Sequence, residues 1–219
     1  MRNLTSNLIL FYCFSLTLLF NGCASLPSQG DSGFSYHAIP IAHGTAAAGE
    51  GSTISFRGSP LVLAGPGISQ GDSLRSVKVA KGDLSLQDIT EANGKVRVIS
   101  VVPSLDTKVC EQQTHYLSEK NQGLDGKVDL YTISVDTPFA QNRFAKEAGI
   151  HNVTFLSDYR EAAFGRTHGL LLEGPHLLAR AVLVVDQHNN VRYLQVTPDL
   201  GNMPDMDAAF AAARTLVKD

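Results

Sequence analysis

The stretch Val101-Val102-Pro103-Ser104-Leu105-Asp106-Thr107-Lys108-Val109-Cys110 decides how the rest of the chain is interpreted. It continues a mostly apolar run, Lys95 to Val102, whose β-branched residues predict a buried central strand. Pro103 ends that strand, and Thr107 is a plausible N-terminal cap for the helix that follows. Cys110 is therefore expected in the first turn of a helix, at the end of a central strand.

This position favours a reactive thiolate. The first amide N–H groups of a helix lack partners within the helix, and its dipole places positive charge there, so the site attracts an anion. The thiolate, rather than the thiol, is the nucleophilic form of cysteine. Thr107 lies one helical turn before Cys110, so its hydroxyl can face the sulfur. The alternative is that Cys110 is an inert, buried small hydrophobic residue.

Composition restricts the classes of function. The chain has 219 residues and a net charge of −3, which suits one globular domain with additional segments. A slightly acidic chain without a run of Lys and Arg gives no footprint for nucleic acid. The cysteines are Cys13, Cys23 and Cys110, with no CxxC and no spaced Cys/His cluster, so neither a zinc site nor a dithiol redox motif is predicted.

Residues 1–23 have the layout of a secretory signal. One positive side chain, Arg2, precedes the apolar core Leu8 to Phe20, which is shorter than the about 20 residues that a spanning helix needs. The pair Gly22-Cys23 resembles the lipobox of bacterial lipoproteins. The resemblance implies that Cys23 carries lipid and that the protein is anchored in a Gram-negative cell envelope. Plain cleavage and an uncleaved anchor are the alternatives.

The resemblance also predicts which membrane holds the lipid anchor. Ala24 stands where an aspartate commonly retains such lipoproteins at the inner membrane, so the resemblance points to the outer membrane, with the domain facing the periplasm. Residues 24–53 are rich in Ser, Gly, Ala and Pro, which is typical of a flexible linker between membrane and domain.

Residues 54–219 are predicted to form one α/β domain. The predicted strands are 54–56 and 61–63 as a hairpin, 75–80, 95–102, 128–135, 153–156, 181–185 and 191–196. The predicted helices are 84–89, 107–122, 137–148, 161–167 and 206–217. A hairpin followed by alternating strands and helices and then β-β-α suits a three-layer α/β sandwich.

Here the residues resemble a known family. Pro103, Thr107 and Cys110 match the P-x-x-x-T-x-x-C signature of the peroxiredoxins. Further stretches resemble the bacterial thiol peroxidase branch: Asp136-Thr137-Pro138-Phe139-Ala140-Gln141, Arg143-Phe144, Gly174-Pro175 and Leu178-Ala179-Arg180-Ala181. The likeness covers about residues 54–217. It implies a thioredoxin-like fold, a homodimer, and reduction of hydroperoxides without a metal or organic cofactor.

The resemblance also assigns roles. Cys110 corresponds to the peroxidatic cysteine, Thr107 to its hydroxyl partner, and Pro103 to the proline that shields the sulfur. Arg180 corresponds to the arginine that stabilises the thiolate and the peroxide oxygens, and a positive charge near the sulfur is what the chemistry requires. Asp136 is interpreted as a turn or capping carboxylate.

One position departs from the branch. Ala145 stands where a resolving cysteine is usual, so the domain cannot form the usual internal disulfide. We therefore predict a one-cysteine cycle, in which an external thiol or thioredoxin-like partner reduces the oxidised Cys110. The competing hypothesis is a peroxiredoxin-like lipoprotein with weakened turnover that senses peroxide or binds a partner.

Overall fold

The structure, a computed structural model, describes residues 33–91 and 94–217. The strands of this part are β1 (Thr53–Phe56), β2 (Ser59–Ala64), β3 (Lys78–Ala80), β4 (Leu86–Asp88), β5 (Arg97–Val101), β6 (Asp129–Ser134), β7 (Thr154–Ser157), β8 (Leu171–Leu172), β9 (Leu177–Leu178), β10 (Ala181–Val185) and β11 (Val191–Val196). Its helices are α1 (Lys108–Glu119), α2 (Pro138–Glu147), α3 (Ala163–His168) and α4 (Met206–Leu216).

The run before Cys110 forms the middle of the main sheet, as predicted. The strand order of this sheet is β11-β10-β5-β6-β7-β3-β4, and β5, β6 and β7 run parallel. Every residue of β5 is buried, because helices or other strands cover both faces of the sheet. The carboxyl end of β5, where Val101 lies beside Ile133 of β6, points directly to the loop that carries Pro103.

Alternating residues of the sheet enter two separate hydrophobic cores. Val98 packs with α1, α2 and α4 on one face, in a core that also holds Phe210 and Cys110. Ile99 packs on the opposite face with Phe164 of α3 and Leu63 of β2. The three-layer α/β arrangement with a thioredoxin-like core is therefore confirmed.

The predicted N-terminal hairpin is confirmed and belongs to a second sheet. β1 and β2 pair antiparallel around Arg57-Gly58, and Thr53 lies opposite Val62. The sheet continues through β8 to β9, which the sequence did not predict. Strands of two residues are too short to show an alternating pattern.

The predicted helix over 84–89 is wrong, because this segment is the edge strand β4. Asp83 accepts hydrogen bonds from the amide and the hydroxyl of Ser85, at 3.0 and 2.6 Å. Leu84 adopts the left-handed conformation with φ 68°. The resulting turn brings Leu86 opposite Ala80, so pairing with β3 overrides the local helical preference.

The prediction of a flexible linker over 24–53 differs from the structure where the two can be compared. We call residues 33–52 the N-terminal arm. Ala42 is only 4% exposed, and its amide donates to the carbonyl of Met203 at 2.7 Å. The Ala46 amide donates to Val196 at 2.9 Å. The arm thus adds backbone hydrogen bonds to the domain without forming a helix or a long strand.

One glycine of the arm, Gly49, serves close packing. The Gly49 amide donates to the carbonyl of Gly169 at 2.9 Å. A Cβ on Gly49 would lie 2.5 Å from the amide nitrogen of Gly67, and one on Gly169 would lie 2.6 Å from Gly49 Cα. Three backbones therefore meet at a distance that side chains would forbid, which explains the glycine at position 49.

The predicted signal segment, Cys23 and the first part of the predicted linker lie outside the described residues. In the part of the chain that the structure describes, no helix has the length and apolar character that crossing a membrane requires.

The buried His168 makes the stability of the fold depend on pH below neutrality. His168 Nδ1 donates to the Phe164 carbonyl at 3.0 Å, and Nε2 accepts from the Arg75 amide at 3.1 Å, which selects the neutral ring. Burial lowers the pKa of His168 to about 4. Between the unfolded pKa of about 6.5 and this value only the unfolded state gains the proton, so stability falls as the pH falls through this window.

As the pH falls from about 7 to about 5, we expect His168 to lower the free energy of unfolding by about 2 kcal/mol. The His168→Gln variant should not show this loss. Denaturant unfolding of both proteins across this range measures the difference. Burial raises the pKa of Asp158 to about 6, which gives an opposite slope, but that slope is common to both proteins and cancels. As a control, His188→Gln at an exposed position should show the same dependence of unfolding free energy on pH as wild type. Parallel curves for wild type and His168→Gln would contradict the prediction.

Candidate active site

Cys110 lies in the first turn of α1, as the sequence predicts, and its side chain is 0% exposed. The first backbone hydrogen bond of the helix runs from the Glu111 amide to the Thr107 carbonyl, at 2.9 Å. The amides of Val109 and Cys110 precede this bond and therefore remain available as donors at the helix start. The sulfur thus sits at the positive end of α1, away from bulk water.

Arg180 brings a positive charge to the sulfur. It precedes β10, which pairs with β5, so the two chain segments that carry Arg180 and Cys110 leave the sheet side by side. Nη2 of Arg180 lies 3.3 Å from Sγ of Cys110, and the arginine is only 2% exposed. The pair predicted from the resemblance is therefore brought together in the structure.

The guanidinium is held by uncharged acceptors. Nη1 donates to Oε1 of Gln113 at 2.8 Å, and Nε donates to the Leu200 carbonyl at 3.0 Å. Across residues 33–91 and 94–217, no Asp or Glu forms an ion pair with Arg180. A buried charge is costly unless it is paired, so the thiolate of Cys110 is the charge partner that this arrangement favours.

Gln113, which the sequence interpretation missed, holds the Arg180 guanidinium in place. It is fully buried, and its Nε2 donates to Ser100 Oγ at 2.8 Å and to the Ala181 carbonyl at 3.2 Å. These bonds to β5 and β10 leave Oε1 directed at Arg180. Its position three residues after Cys110, on the same face of the helix, is the signal that could have identified it.

Pro103 and Thr107 occupy the loop between β5 and α1. Pro103 is buried, which is consistent with a shielding position. Thr107 is the N-cap residue of α1, but its hydroxyl does not cap the helix. That hydroxyl donates to the Ser104 carbonyl at 3.3 Å, and in this structure it forms no hydrogen bond with the sulfur.

Ala145 lies on α2 and packs, half-buried, in the same core as Cys110. Cys110 is the free cysteine of the described residues. Within that part of the chain, therefore, no second thiol can reach an oxidised Cys110.

The N-terminal arm covers α1 on the side away from the sheet. The amide of His37 donates to Gln112 Oε1 at 2.7 Å, and Gln112 Nε2 donates back to the His37 carbonyl at 3.0 Å. Phe34 stacks on the ring of His115, with ring centroids 3.9 Å apart. His115 is buried, and its Nδ1 lies 2.6 Å from Glu119 Oε1. These contacts fix α1 beyond its first turn.

Comparison with known proteins supports the same class. Residues 69–210 match the Redoxin family. The thiol peroxidase of Halalkalibacterium halodurans is 41% identical over 163 residues, which is 74% of this chain and 98% of that protein. The crystal structure of a peroxiredoxin-like protein from Aquifex aeolicus has a TM-score of 0.72 and 34% identity, covering 80% of this chain and 100% of that chain.

A third comparison concerns the fold alone. A thiol peroxidase from Chromobacterium violaceum superposes with a TM-score of 0.64 at 21% identity, over 74% of this chain and 95% of that one.

A thioredoxin-like sandwich with a cysteine at a helix start and a buried arginine beside it defines a cysteine-based redox protein. The chain belongs to the redoxin family, in the thiol peroxidase branch of the peroxiredoxins.

Proposed function

We propose that this protein is a thiol-dependent peroxidase that reduces hydrogen peroxide or organic hydroperoxides through Cys110, in a one-cysteine cycle. The observation that carries the proposal is the pairing of the fully buried Cys110 sulfur with Arg180 Nη2, at 3.3 Å. Because the buried guanidinium has no carboxylate partner among the described residues, it is poised to stabilise negative charge on sulfur and on peroxide oxygen.

The first step oxidises the cysteine. The Cys110 thiolate attacks the terminal oxygen of the hydroperoxide, so an S–O bond forms and the O–O bond breaks. The alkoxide or hydroxide that leaves takes a proton from solvent and departs as alcohol or water, and Cys110 becomes a sulfenic acid. Arg180 and the free amides at the start of α1 stabilise the negative charge as it moves from sulfur to oxygen.

Thr107 has a defined part in this step. Its hydroxyl proton points to the Ser104 carbonyl, so its oxygen lone pairs are free to accept a hydrogen bond from the peroxide. The peroxide is oriented by this contact with Thr107 on one side and by Arg180 on the other.

The second step needs an external thiol. A thiol from a small molecule or a thioredoxin-like protein attacks the sulfenic acid, which releases water and forms a mixed disulfide with Cys110. A second thiol then attacks that disulfide, leaves as the oxidised disulfide product and restores the Cys110 thiol. Ala145 at the usual resolving position supports this cycle. Steady-state peroxide consumption by wild type and Cys110→Ser in the presence of a monothiol tests the proposal.

The competing function is peroxide sensing with weak turnover. The absence of a resolving thiol in the described residues favours it, because a sulfenic acid that is reduced slowly can persist as a signal. Consumption of many equivalents of peroxide per protein identifies an enzyme, whereas consumption of a single equivalent identifies a sensor.

We further propose that Cys23 is lipidated and holds the protein at the bacterial outer membrane, with the domain facing the periplasm. The apolar segment Leu8 to Phe20 and the pair Gly22-Cys23 support this proposal. A homodimer is proposed from the resemblance to the thiol peroxidase branch, and analytical ultracentrifugation of the mature protein tests it.

The lipid proposal predicts a loss of labelling. Cells given a labelled fatty acid should incorporate it into the wild-type protein and not into the Cys23→Ala variant, because the thiol is the attachment point. Cys13→Ala, which alters a cysteine inside the apolar segment, serves as the matched control and should be labelled as wild type. Unchanged labelling of Cys23→Ala would contradict the proposal.

A further inference from the structure

A carboxylate outside the sequence-predicted site holds the loop in front of Cys110. Asp136 follows β6, at the same edge of the sheet where β5 ends. Its Oδ1 accepts from Ser104 Oγ at 2.8 Å, and its Oδ2 accepts from the Leu105 amide at 2.7 Å. Oδ2 also accepts from Ser134 Oγ at 2.7 Å. Two of the three donors therefore belong to the loop between β5 and α1.

The anchored residues are the ones that support Thr107. The Ser104 carbonyl accepts from the Thr107 hydroxyl at 3.3 Å, and Ser104 Oγ also accepts from the Asp106 amide at 3.3 Å. Ser104 thus links the Asp136 carboxylate to the hydroxyl at the start of α1. A shift of Ser104 would move Thr107 and the adjoining Pro103 together.

Asp136 is itself fixed from several directions. Its carbonyl accepts from the Ser157 hydroxyl of β7, and its amide donates to Ser134 Oγ at 3.3 Å. Gln141 of α2 donates to the same Ser134 Oγ at 3.0 Å. Within residues 33–91 and 94–217 the Asp136 carboxylate forms no ion pair, so hydrogen bonds alone stabilise its negative charge. Hydrogen bonds to a charged acceptor are stronger than those between neutral groups.

We propose that Asp136 is a positioning residue for the peroxidase reaction, acting through Ser104 and Leu105 to set the loop that presents Pro103, Thr107 and the α1 amides to the peroxide. This inference rests on the proposed peroxidase function. It replaces the interpretation of Asp136 as a simple turn carboxylate, because the bonds reach across 31 and 32 residues to another strand end. A misplacement of about 1 Å in such a loop can reduce a rate by as much as about 100-fold.

The test compares two reactions of Cys110 in the full-length protein. Oxidation by hydrogen peroxide requires the positioned loop, whereas alkylation by iodoacetamide requires a thiolate that the reagent can reach but no oriented peroxide. We expect Asp136→Ala to lower the oxidation rate by about 10-fold to 100-fold and the alkylation rate far less, as measured by quenching and mass spectrometry. Asp136→Asn keeps one acceptor oxygen and should give an intermediate oxidation rate.

Asp129 is the first residue of β6, whereas Asp136 follows the last one, so the two carboxylates lie at opposite ends of this strand. Asp129→Asn and Asp129→Ala are therefore matched controls. Both should retain the two wild-type rates. Equal losses in oxidation and alkylation for Asp136→Ala, or no loss in either, would overturn the positioning role.

A second measurement separates this inference from the proposed function. If wild-type Cys110 does not react with peroxide, the peroxidase proposal fails. Amide hydrogen exchange then decides whether Asp136 orders the loop: Asp136→Ala should speed exchange at Leu105 and Asp106 while Asp129→Ala does not. Unchanged exchange at these amides would overturn the role of Asp136 on its own.

Discussion

Replacing Cys110 by serine is expected to lower peroxide consumption to the rate measured without protein. Serine preserves the buried side-chain volume closely, but its hydroxyl does not ionise near neutral pH and cannot accept the peroxide oxygen as a sulfenic acid. Wild type should consume many equivalents of hydrogen peroxide when a monothiol is supplied. Peroxide assays of both proteins, with thermal unfolding to confirm that each is folded, measure the effect.

The same samples test the one-cysteine cycle. After one equivalent of peroxide, mass spectrometry of wild type should show one added oxygen at Cys110, and addition of a monothiol should convert it to a mixed disulfide. Cys23→Ala is the control and should retain activity, because Cys23 takes no part in the cycle. A Cys23–Cys110 disulfide in native protein, or full activity in Cys110→Ser, would contradict this account.

Replacing Arg180 by methionine should reduce the rate of Cys110 oxidation by about 10²-fold to 10³-fold, the cost of removing a charge-stabilising donor from an active site. Methionine fills much of the same space but cannot donate to sulfur or to peroxide oxygen. Removing one member of a buried charge pair also destabilises the fold, so the oxidation rate is measured per folded molecule. Arg180→Lys keeps the charge but cannot bond Gln113, Leu200 and the sulfur together, so we expect an intermediate rate.

Arg97 provides the matched control for Arg180. It is also fully buried, and its guanidinium donates to the carbonyls of Ile89 and Asp186 and to Asn189, at the opposite end of β5 from the cysteine. Arg97→Met should change the unfolding free energy and leave the oxidation rate per folded molecule unchanged. Similar oxidation rates for wild type and Arg180→Met would contradict the role of the arginine.

The parallel strands and the position of Cys110 could be predicted because their signals are local. Val98 and Ile99 belong to one apolar run, and the proline that follows it ends the strand at the edge where the reactive residue lies. The turn before β4 shows the limit of such signals. Leu86 and Ile89 are three residues apart, which fits a helix, and only the available partner, β3, makes this segment a strand.

The arm shows a second limit. Its composition indicates flexibility because glycine and alanine carry few side-chain atoms, yet the same property lets backbones approach closely at Gly49 and Gly169. Which outcome holds depends on the facing backbone, and a linear sequence does not specify that partner. The hydrogen bonds that order the arm come from Met203 and Val196, more than one hundred residues away along the chain.

The sequence by itself determined the class of protein and the position of the cysteine that we propose to react. The motif from Pro103 to Cys110 and the residue at 145 are enough to predict a peroxidatic sulfur without an internal resolving thiol. Only the tertiary structure decided what surrounds that sulfur. Arg180 faces it because β10 pairs with β5. Gln113 orients the arginine because it lies on α1 and bonds to both of those strands. Asp136 reaches the loop because β6 ends beside β5. Each of these contacts depends on strand pairing between distant segments, which side-chain patterns along one segment cannot encode.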